Sequence, residues 1–332
     1  MKNRRANKLR VLITGATGFL GKYIIEELVS SGYQIVAFGR NEIVGHSLES
    51  SQVTFVKGDL TNIEDVRKAA LGVDAIIHAG ALSDVWGLWQ DFYHSNVIGT
   101  QNVLTVCEEL NIKRLVHISS PSIYAKADHQ FNISEEEAPL ENNLNYYIKS
   151  KLMAEQLVAQ SAVPTVVLRP RGLFGIGDVS IVPRLLRTNN TIGIPLLNKG
   201  KQFVDMTCVE NVAYAIRLCL EHEKAPGQIY NLTNDEPMPF KDLLDLFFKA
   251  SGNSPHYRKL PAKPLEVIVT LIEGIFLKCR LKKEPPLTRY TFYLLAYSQT
   301  LSIDKIKREL GYRPKLSIVE GVQKYVDYHR KH

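Results

Sequence analysis

Cysteine is scarce: Cys107, Cys208, Cys219 and Cys279 are the only four in 332 residues, far apart and without a C-x-x-C pair. That spacing argues against a disulfide frame and a thiolate metal site, and fits reduced thiols in a cytoplasmic protein. Histidines do not pair at i, i+4 spacing, so no metal is expected. Long apolar runs are missing as well. The greasiest stretch, residues 265–277, carries Glu266 and Glu273 and is too short to cross roughly 30 Å of hydrocarbon. Glycine and proline are too sparse for collagen-like repeats, and 45% hydrophobic residues argue against disorder. There is no internal repeat and no low-complexity tract.

Charge of one sign is nearly absent from the body of the chain. The formal net charge is +7, but Lys2, Arg4, Arg5, Lys8 and Arg10 fall in the first ten residues without an acid among them. Residues 1–8 read as a basic leader, either mobile or polyanion-binding. No apolar segment follows it before the first strand, so it is not read as a signal peptide. Nucleic-acid binding has only this leader in its favour and is not expected.

What is present is an alternation. Residues 9–14 form a β-branched run, an amphipathic stretch follows from Phe19 to Ser31, and Gln34–Phe38 is again strand-like. The rhythm continues through Thr54–Val56, a helix near Ile63–Leu71, Ala75–His78, a helix near Val97–Leu110, Leu115–Ser119, a helix near Tyr146–Gln160 and Thr165–Leu168. Such β-α-β alternation predicts an α/β fold, a Rossmann-type doubly wound parallel sheet with a smaller C-terminal α/β lobe. The expected division is residues 9–180 for the nucleotide-binding lobe, with 204–235 returning to it. Residues 181–203 and 236–330 are left for the substrate lobe.

Gly15, Gly18 and Gly21 lie between the first strand and the first helix, where backbone must approach a pyrophosphate and helix N–H groups can meet it. At the tip of the second strand a carboxylate would bind the ribose 2′-OH of NAD; here the sequence is Phe38-Gly39-Arg40-Asn41. A guanidinium suits a 2′-phosphate, so NADP(H) is favoured over NAD(H), unless Arg40 is a solvated loop charge. Asp59 and Leu60 either flank the adenine or close a turn.

Ser119 and Ser120 end the fifth strand at the carboxyl edge of the sheet. Tyr147 and Lys151 form the only Tyr-x-x-x-Lys in the chain and share one face of the next helix. A cationic lysine would stabilise a phenolate, letting Tyr147 exchange a proton with a carbonyl or hydroxyl oxygen, while Ser120 hydrogen-bonds the same oxygen. Asn96 either helps to place Lys151 or caps a helix.

These residues resemble the extended short-chain dehydrogenase/reductase superfamily, also called the NAD(P)-dependent epimerase/dehydratase superfamily. The matching motifs are TGATGFLG at 14–21, GDL at 58–60, HAGA at 78–81, NVIGTQNVL at 96–104, ISSPSIY at 118–124, YIKSK at 147–151 and LRPRGLFGIGD at 168–178. The resemblance implies a catalytic triad of Ser120, Tyr147 and Lys151. It also implies cofactor contacts at Gly15, Thr17, Gly18, Phe19, Leu20, Gly21, Arg40, Asp59, Leu60, Ala79, Gly80, Ala81, Asn96 and Pro170. Tyr147 and Lys151 belong to that set too. Nucleotide-sugar epimerases and dehydratases typically carry Asn shortly after the Arg that ends the sixth strand, where this chain has Gly172. Asp84-Val85-Trp86-Gly87 and the LRP motif instead resemble the 3β-hydroxysteroid dehydrogenase-like branch, and within it the bacterial 2-alkyl-3-oxoalkanoate reductases. Asp84, Trp86, Ser122 and Arg171 are then candidate substrate contacts.

The expected function is therefore ketone/secondary-alcohol interconversion on a bulky apolar keto or hydroxy substrate. A nucleotide-sugar epimerase or dehydratase and a non-catalytic NADP(H)-sensing protein are the other readings. Trp86, Trp89, Phe92 and Tyr93 form either core or a lid over the site. Residues 265–283, apolar and then basic, either pack in the small lobe or touch a membrane surface peripherally or a greasy substrate. Self-association would give a homodimer.

Overall fold

The computed structural model describes residues 9–179 and 181–331, and the basic leader 1–8 lies outside them. Seven strands make one parallel sheet: β1 (Arg10–Thr14), β2 (Gln34–Gly39), β3 (Val53–Lys57), β4 (Ala75–His78), β5 (Arg114–Ile118), β6 (Thr165–Pro170) and β7 (Ile229–Leu232). Their spatial order is β7-β6-β5-β4-β1-β2-β3. Alternate β1 side chains enter opposite cores: Val11 and Ile13 join one cluster, Leu12 the other. Both faces are covered, which is why these strands read as continuous Val/Ile/Leu runs. The chain winds outward through β2 and β3 and then returns to β4 on the other side of β1. This reversal opens a crevice at the carboxyl ends of β1 and β4, the place where doubly wound sheets bind ligands.

Helix α1 (Phe19–Ser30) buries Gly21, Ile24, Ile25 and Leu28. Whereas helix α2 (Tyr146–Gln160) places Val158 in the core on the other face of the sheet, α1 packs beside Val212, Ala215 and Ile216 of helix α3 (Val209–Glu221). Strand β7 pairs with β6, so this later segment completes the first sheet.

The second lobe has its own core of Phe174, Leu196, Leu244, Phe248, Val322 and their neighbours. Two segments cross the expected boundary. Gln130–Ile133 pairs with Gln299–Leu301 in a four-stranded sheet that also holds Phe203–Val204 and Met238–Pro239. Ile303, Ile306, Leu310 and Tyr312 pack into the first core. Within the expected 236–330 segment, residues 303–312 thus pack with the first core, which covers the apolar face of the short helix Asp304–Leu310. Helix Ile318–Lys331 was not anticipated, although Ser317 and Glu320 form a reciprocal N-terminal cap that marks its start. The helix expected from Val97 begins instead with a π-helical turn, Tyr93–Ile98, before Gly99–Glu109.

Candidate active site

The turn between β1 and α1 depends on three glycines for different reasons. Gly15 has φ +70°, and a Cβ there would lie 2.7 Å from Gly80 Cα. At Gly21 a Cβ would meet the Gly15 carbonyl oxygen at 2.4 Å, so the helix could not close on the turn. Gly18 is exposed and is the N-cap of α1, with no side-chain cap. Among the described residues no side-chain oxygen caps the first-turn N–H groups at Phe19, Leu20 and Gly21, which leaves this end of the helix open to an anion such as a pyrophosphate.

The other expected cofactor contacts lie at or just beyond the carboxyl ends of β1, β2, β3, β4 and β6. Thr17 touches Gly39 at the tip of β2. Arg40 is exposed just beyond that tip, and its charge helps hold the Asp59 carboxyl below its usual range. Asp59 accepts hydrogen bonds from the Thr61 N–H and hydroxyl, both at 2.9 Å, so one of its oxygens closes a turn. Leu60 packs against Gly80 and Gly99. Beyond β4, Ala79 and Gly80 are partly buried and Ala81 is exposed. The Gly80 N–H donates to Thr14 Oγ1 at 3.1 Å. Pro170 is the buried last residue of β6.

Ser120, Tyr147 and Lys151 converge at the carboxyl end of β5. Ser120 caps the 3-10 turn Pro121–Tyr124, accepting from the Ser122 N–H at 3.2 Å. The Tyr147 hydroxyl faces Ser120. Burial pushes that hydroxyl up to about 12, opposed by hydrogen bonding with Ser120. Lys151 is 2% exposed and donates from Nζ to the Ile118 carbonyl oxygen at 2.7 Å. Burial pushes its ammonium down to about 8, against the pull of the Glu155 carboxylate one turn along α2. Burial is the largest influence on the Tyr147 hydroxyl and outweighs the Ser120 hydrogen bond that favours the phenolate.

Polar side chains beneath the site are interlocked. Asn96 sits in the π-helical turn, donates to the Leu82 carbonyl at 2.9 Å and to Ser150 Oγ at 2.9 Å, and accepts from the Leu82 N–H at 2.7 Å. It thereby clasps the loop after β4 to the residue next to Lys151, and π-turns of this kind are often found at functional sites. Arg169, on β6, makes a two-pronged ion pair with Glu155 at 3.0 and 2.6 Å and also donates to Tyr124. Tyr124 in turn donates to Asn231 on β7 at 2.9 Å. His78 lies between Thr14 and Thr100 at 2.8 and 3.1 Å, and burial pushes it down to about 3. Both ring nitrogens of the adjacent His117 are buried without a partner. Neither histidine gathers with acids or cysteines as a metal site would, among the described residues.

The candidate substrate residues lie in different surroundings. Ser122 is buried at the back of the site and faces Tyr290, a residue of helix α5 (Arg289–Ala296), where α4 is Ala262–Lys278. Arg171 is buried with Gln299 as hydrogen-bond partner, and burial lowers its pKa. Asp205 is close enough to act on Arg171, and its own carboxyl is pushed up to about 6 by burial. Asp84 is exposed. The aromatic group divides: Phe92 is core, Trp89 packs on Tyr93 and Tyr146, and Trp86 reaches the second lobe. There its indole N–H donates to the Leu281 carbonyl at 3.0 Å and its ring meets Phe276 edge-on. A cleft between the lobes is lined by Val85, Trp86, Phe92, Tyr146, Leu277 and Tyr290. Tyr290 went unrecognised in the sequence because no motif connects it to Ser122 in the turn after β5; only the fold does.

A dinucleotide cradle and a Ser-Tyr-Lys cluster on one parallel sheet define a Rossmann-type nucleotide-binding protein. Residues 11–233 match the model of the NAD dependent epimerase/dehydratase family, and the chain belongs to that family. The chain is 34% identical over 326 residues to the 2-alkyl-3-oxoalkanoate reductase of Stenotrophomonas maltophilia, covering 95% of this chain and 98% of that one. It is 28% identical to the decarboxylating sterol-4-alpha-carboxylate 3-dehydrogenase of Mus musculus, over 96% of this chain and 91% of that protein. Among solved structures, the UDP-glucuronic acid 4-epimerase of Bacillus cereus, in complex with UDP-glucuronic acid and NAD, superposes with a TM-score of 0.77. It covers 97% of this chain and 99% of that one at 23% identity, a likeness of fold.

Proposed function

We propose that this protein is an NADP(H)-linked oxidoreductase that interconverts a ketone and a secondary alcohol on a bulky apolar substrate. The observation that carries this reading is the convergence of Ser120, Tyr147 and Lys151 at the carboxyl end of β5, beside the crevice that the Gly15–Gly21 turn opens. Reduction of a ketone needs a hydride at carbon and a proton at oxygen. The nicotinamide, when bound, supplies or takes up the hydride. Tyr147 delivers the proton to that oxygen, or removes it in the reverse direction, and Ser120 donates a hydrogen bond to it as negative charge develops. Lys151, one helical turn from Tyr147 and anchored on the Ile118 carbonyl, would favour the phenolate by its positive charge when Tyr147 gives up its proton.

The uncapped N-terminus of α1 would hold the pyrophosphate, and Arg40 would meet a 2′-phosphate at a strand tip that carries no acid. Val85, Trp86, Phe92 and Leu277 give the cleft an apolar wall and Asn143, Asn145, Glu273 and Arg289 a polar one, which would take a long-chain keto acid with its apolar chain on the first and its polar head on the second. The 2-alkyl-3-oxoalkanoate reductase and the sterol dehydrogenase named above support the same class of substrate. An epimerase or dehydratase is the second reading, favoured by the fold's likeness to the UDP-glucuronic acid 4-epimerase. Gly172 weighs against it, because this position carries no side chain where that branch carries asparagine.

The test is oxidation of NADPH with a 2-alkyl-3-oxo acid, a 3-oxosteroid or a sugar nucleotide as substrate. Turnover with an apolar ketone, lost by at least about a thousandfold in Tyr147→Phe while NADPH affinity stays within about twofold, supports the reading. Unchanged turnover in that variant refutes the role of Tyr147. Tight NADPH binding without oxidation by any of the ketones moves the assignment to epimerisation or sensing.

A further inference from the structure

Helix α4 draws its acids toward the protein: Glu273 is 3% exposed and paired with Arg289 at 2.8 Å, and Glu266 accepts from the Tyr297 hydroxyl at 3.3 Å. Val269 is buried on the same side and Leu265 packs beside it, but a second set of aliphatic side chains faces outward. Val267, Ile268, Leu271 and Ile275 are 60, 51, 63 and 59% exposed. Their spacing of three and four residues puts them in one stripe along the helix. A soluble face of this kind is normally polar, and an exposed apolar stripe on this scale marks an interaction surface.

The ends of the stripe are basic. Lys263 lies at the start of the helix, and Lys278, Arg280, Lys282 and Lys283 follow its end, all exposed. The acid next to them, Glu284, is already paired with Arg184 at 2.9 Å. We propose that this face docks on an anionic lipid surface, with the aliphatic stripe entering the acyl boundary and the lysines and arginine meeting lipid phosphates. Charge decides the occupant. A second copy packed stripe to stripe would bring two sets of these cations together at the cost of like-charge repulsion, whereas an anionic bilayer neutralises them and takes up the aliphatic side chains. No helix among the described residues is long and apolar enough to cross a membrane, so the contact is peripheral. The opposite side of the same helix closes the cleft at Leu277, and Trp86 ties that end of the helix to the loop after β4. Docking would therefore bring the mouth of the cleft to the lipid, whatever the substrate proves to be.

The experiment is flotation of the full chain with phosphatidylcholine vesicles and with equimolar phosphatidylcholine/phosphatidylglycerol vesicles, at low and high salt. Binding to the anionic vesicles, weakened by salt, is expected. The triple variant Ile268→Ser, Leu271→Ser, Ile275→Ser should lower partitioning by at least about a hundredfold, since each buried aliphatic side chain is worth roughly tenfold. Lys278→Gln, Lys282→Gln, Lys283→Gln should remove the preference for anionic vesicles, a second measure should the triple variant misfold. Replacing Lys2, Arg4, Arg5 and Lys8 by Gln should leave binding in place. The proposal is overturned if the wild-type chain does not float, if the serine variant floats as well as wild type, or if binding vanishes with the leader's charges. It is equally overturned if the serine variant only converts a dimer to a monomer in light scattering.

Discussion

Replacing Glu155 by Gln tests whether the ion pair under the site holds the site in place. Arg169 is 2% exposed and keeps its charge at every pH the fold survives, its guanidinium pushed further up by Glu155 itself. In wild type the carboxylate takes two of its N–H groups at 3.0 and 2.6 Å, with Tyr124 and the Glu135 carbonyl completing the set. Glutamine is the same shape but neutral, and offers one acceptor oxygen in place of two. Removing one partner of such a buried pair typically costs 3–5 kcal/mol, and the retained hydrogen bond argues for the low end, about 3 kcal/mol. That is a folding constant lowered by about a hundredfold, or a Tm lowered by about 4 °C for a chain of this size. Urea and thermal unfolding followed by circular dichroism give both numbers. The double variant Glu155→Leu, Arg169→Met should recover most of the loss, because no unpaired charge then remains. Glu155 also supports the charge on Lys151, so the Gln variant should move the Lys151 titration below its value near 8, shifting the alkaline limb of the activity profile to lower pH. A loss under about 1 kcal/mol would refute the reasoning, and so would a double variant no more stable than the single one.

Three further outcomes are expected. Arg40→Glu should weaken NADPH binding at least about tenfold while NADH is unchanged or bound more tightly, as read by nicotinamide fluorescence; equal loss for both cofactors means Arg40 does not meet the 2′-phosphate. Lys151 titrates near 8 when folded against an ordinary 10.5, so between these values the unfolded chain holds a proton that the native state has released, and stability rises with pH. The rise is about 3 kcal/mol from this group and should vanish in Lys151→Met; parallel urea-stability curves for the two proteins from pH 7 to 10 would count against it. Gly21→Ala should cost about 2–4 kcal/mol and impair nucleotide binding, because the new Cβ meets backbone atoms of Gly15 and Ala16 that cannot move aside. Denaturation within 0.5 kcal/mol (roughly the scatter of neutral substitutions) would show that the turn can relax.

The parallel sheet was legible in the sequence because its determinants are local. Strands covered on both faces must be apolar throughout, helices that cover them must be amphipathic, and the turn from β1 to α1 must be glycine where Gly15 and Gly21 meet backbone. Tyr147 and Lys151 were legible for a similar reason, since one helical turn fixes their common face whatever surrounds them. The anchoring was not legible. That Glu155 would pair with Arg169, Asn96 with Leu82 and Ser150, and Ser122 face Tyr290 depends on strands and lobes meeting over long sequence distances. The same holds for α4: its composition is that of a core helix, and its period does not say which side is covered. Tertiary packing alone decided that Glu273 goes inward to Arg289 and Leu271 outward, because burying that acid required a cation that only α5 supplies.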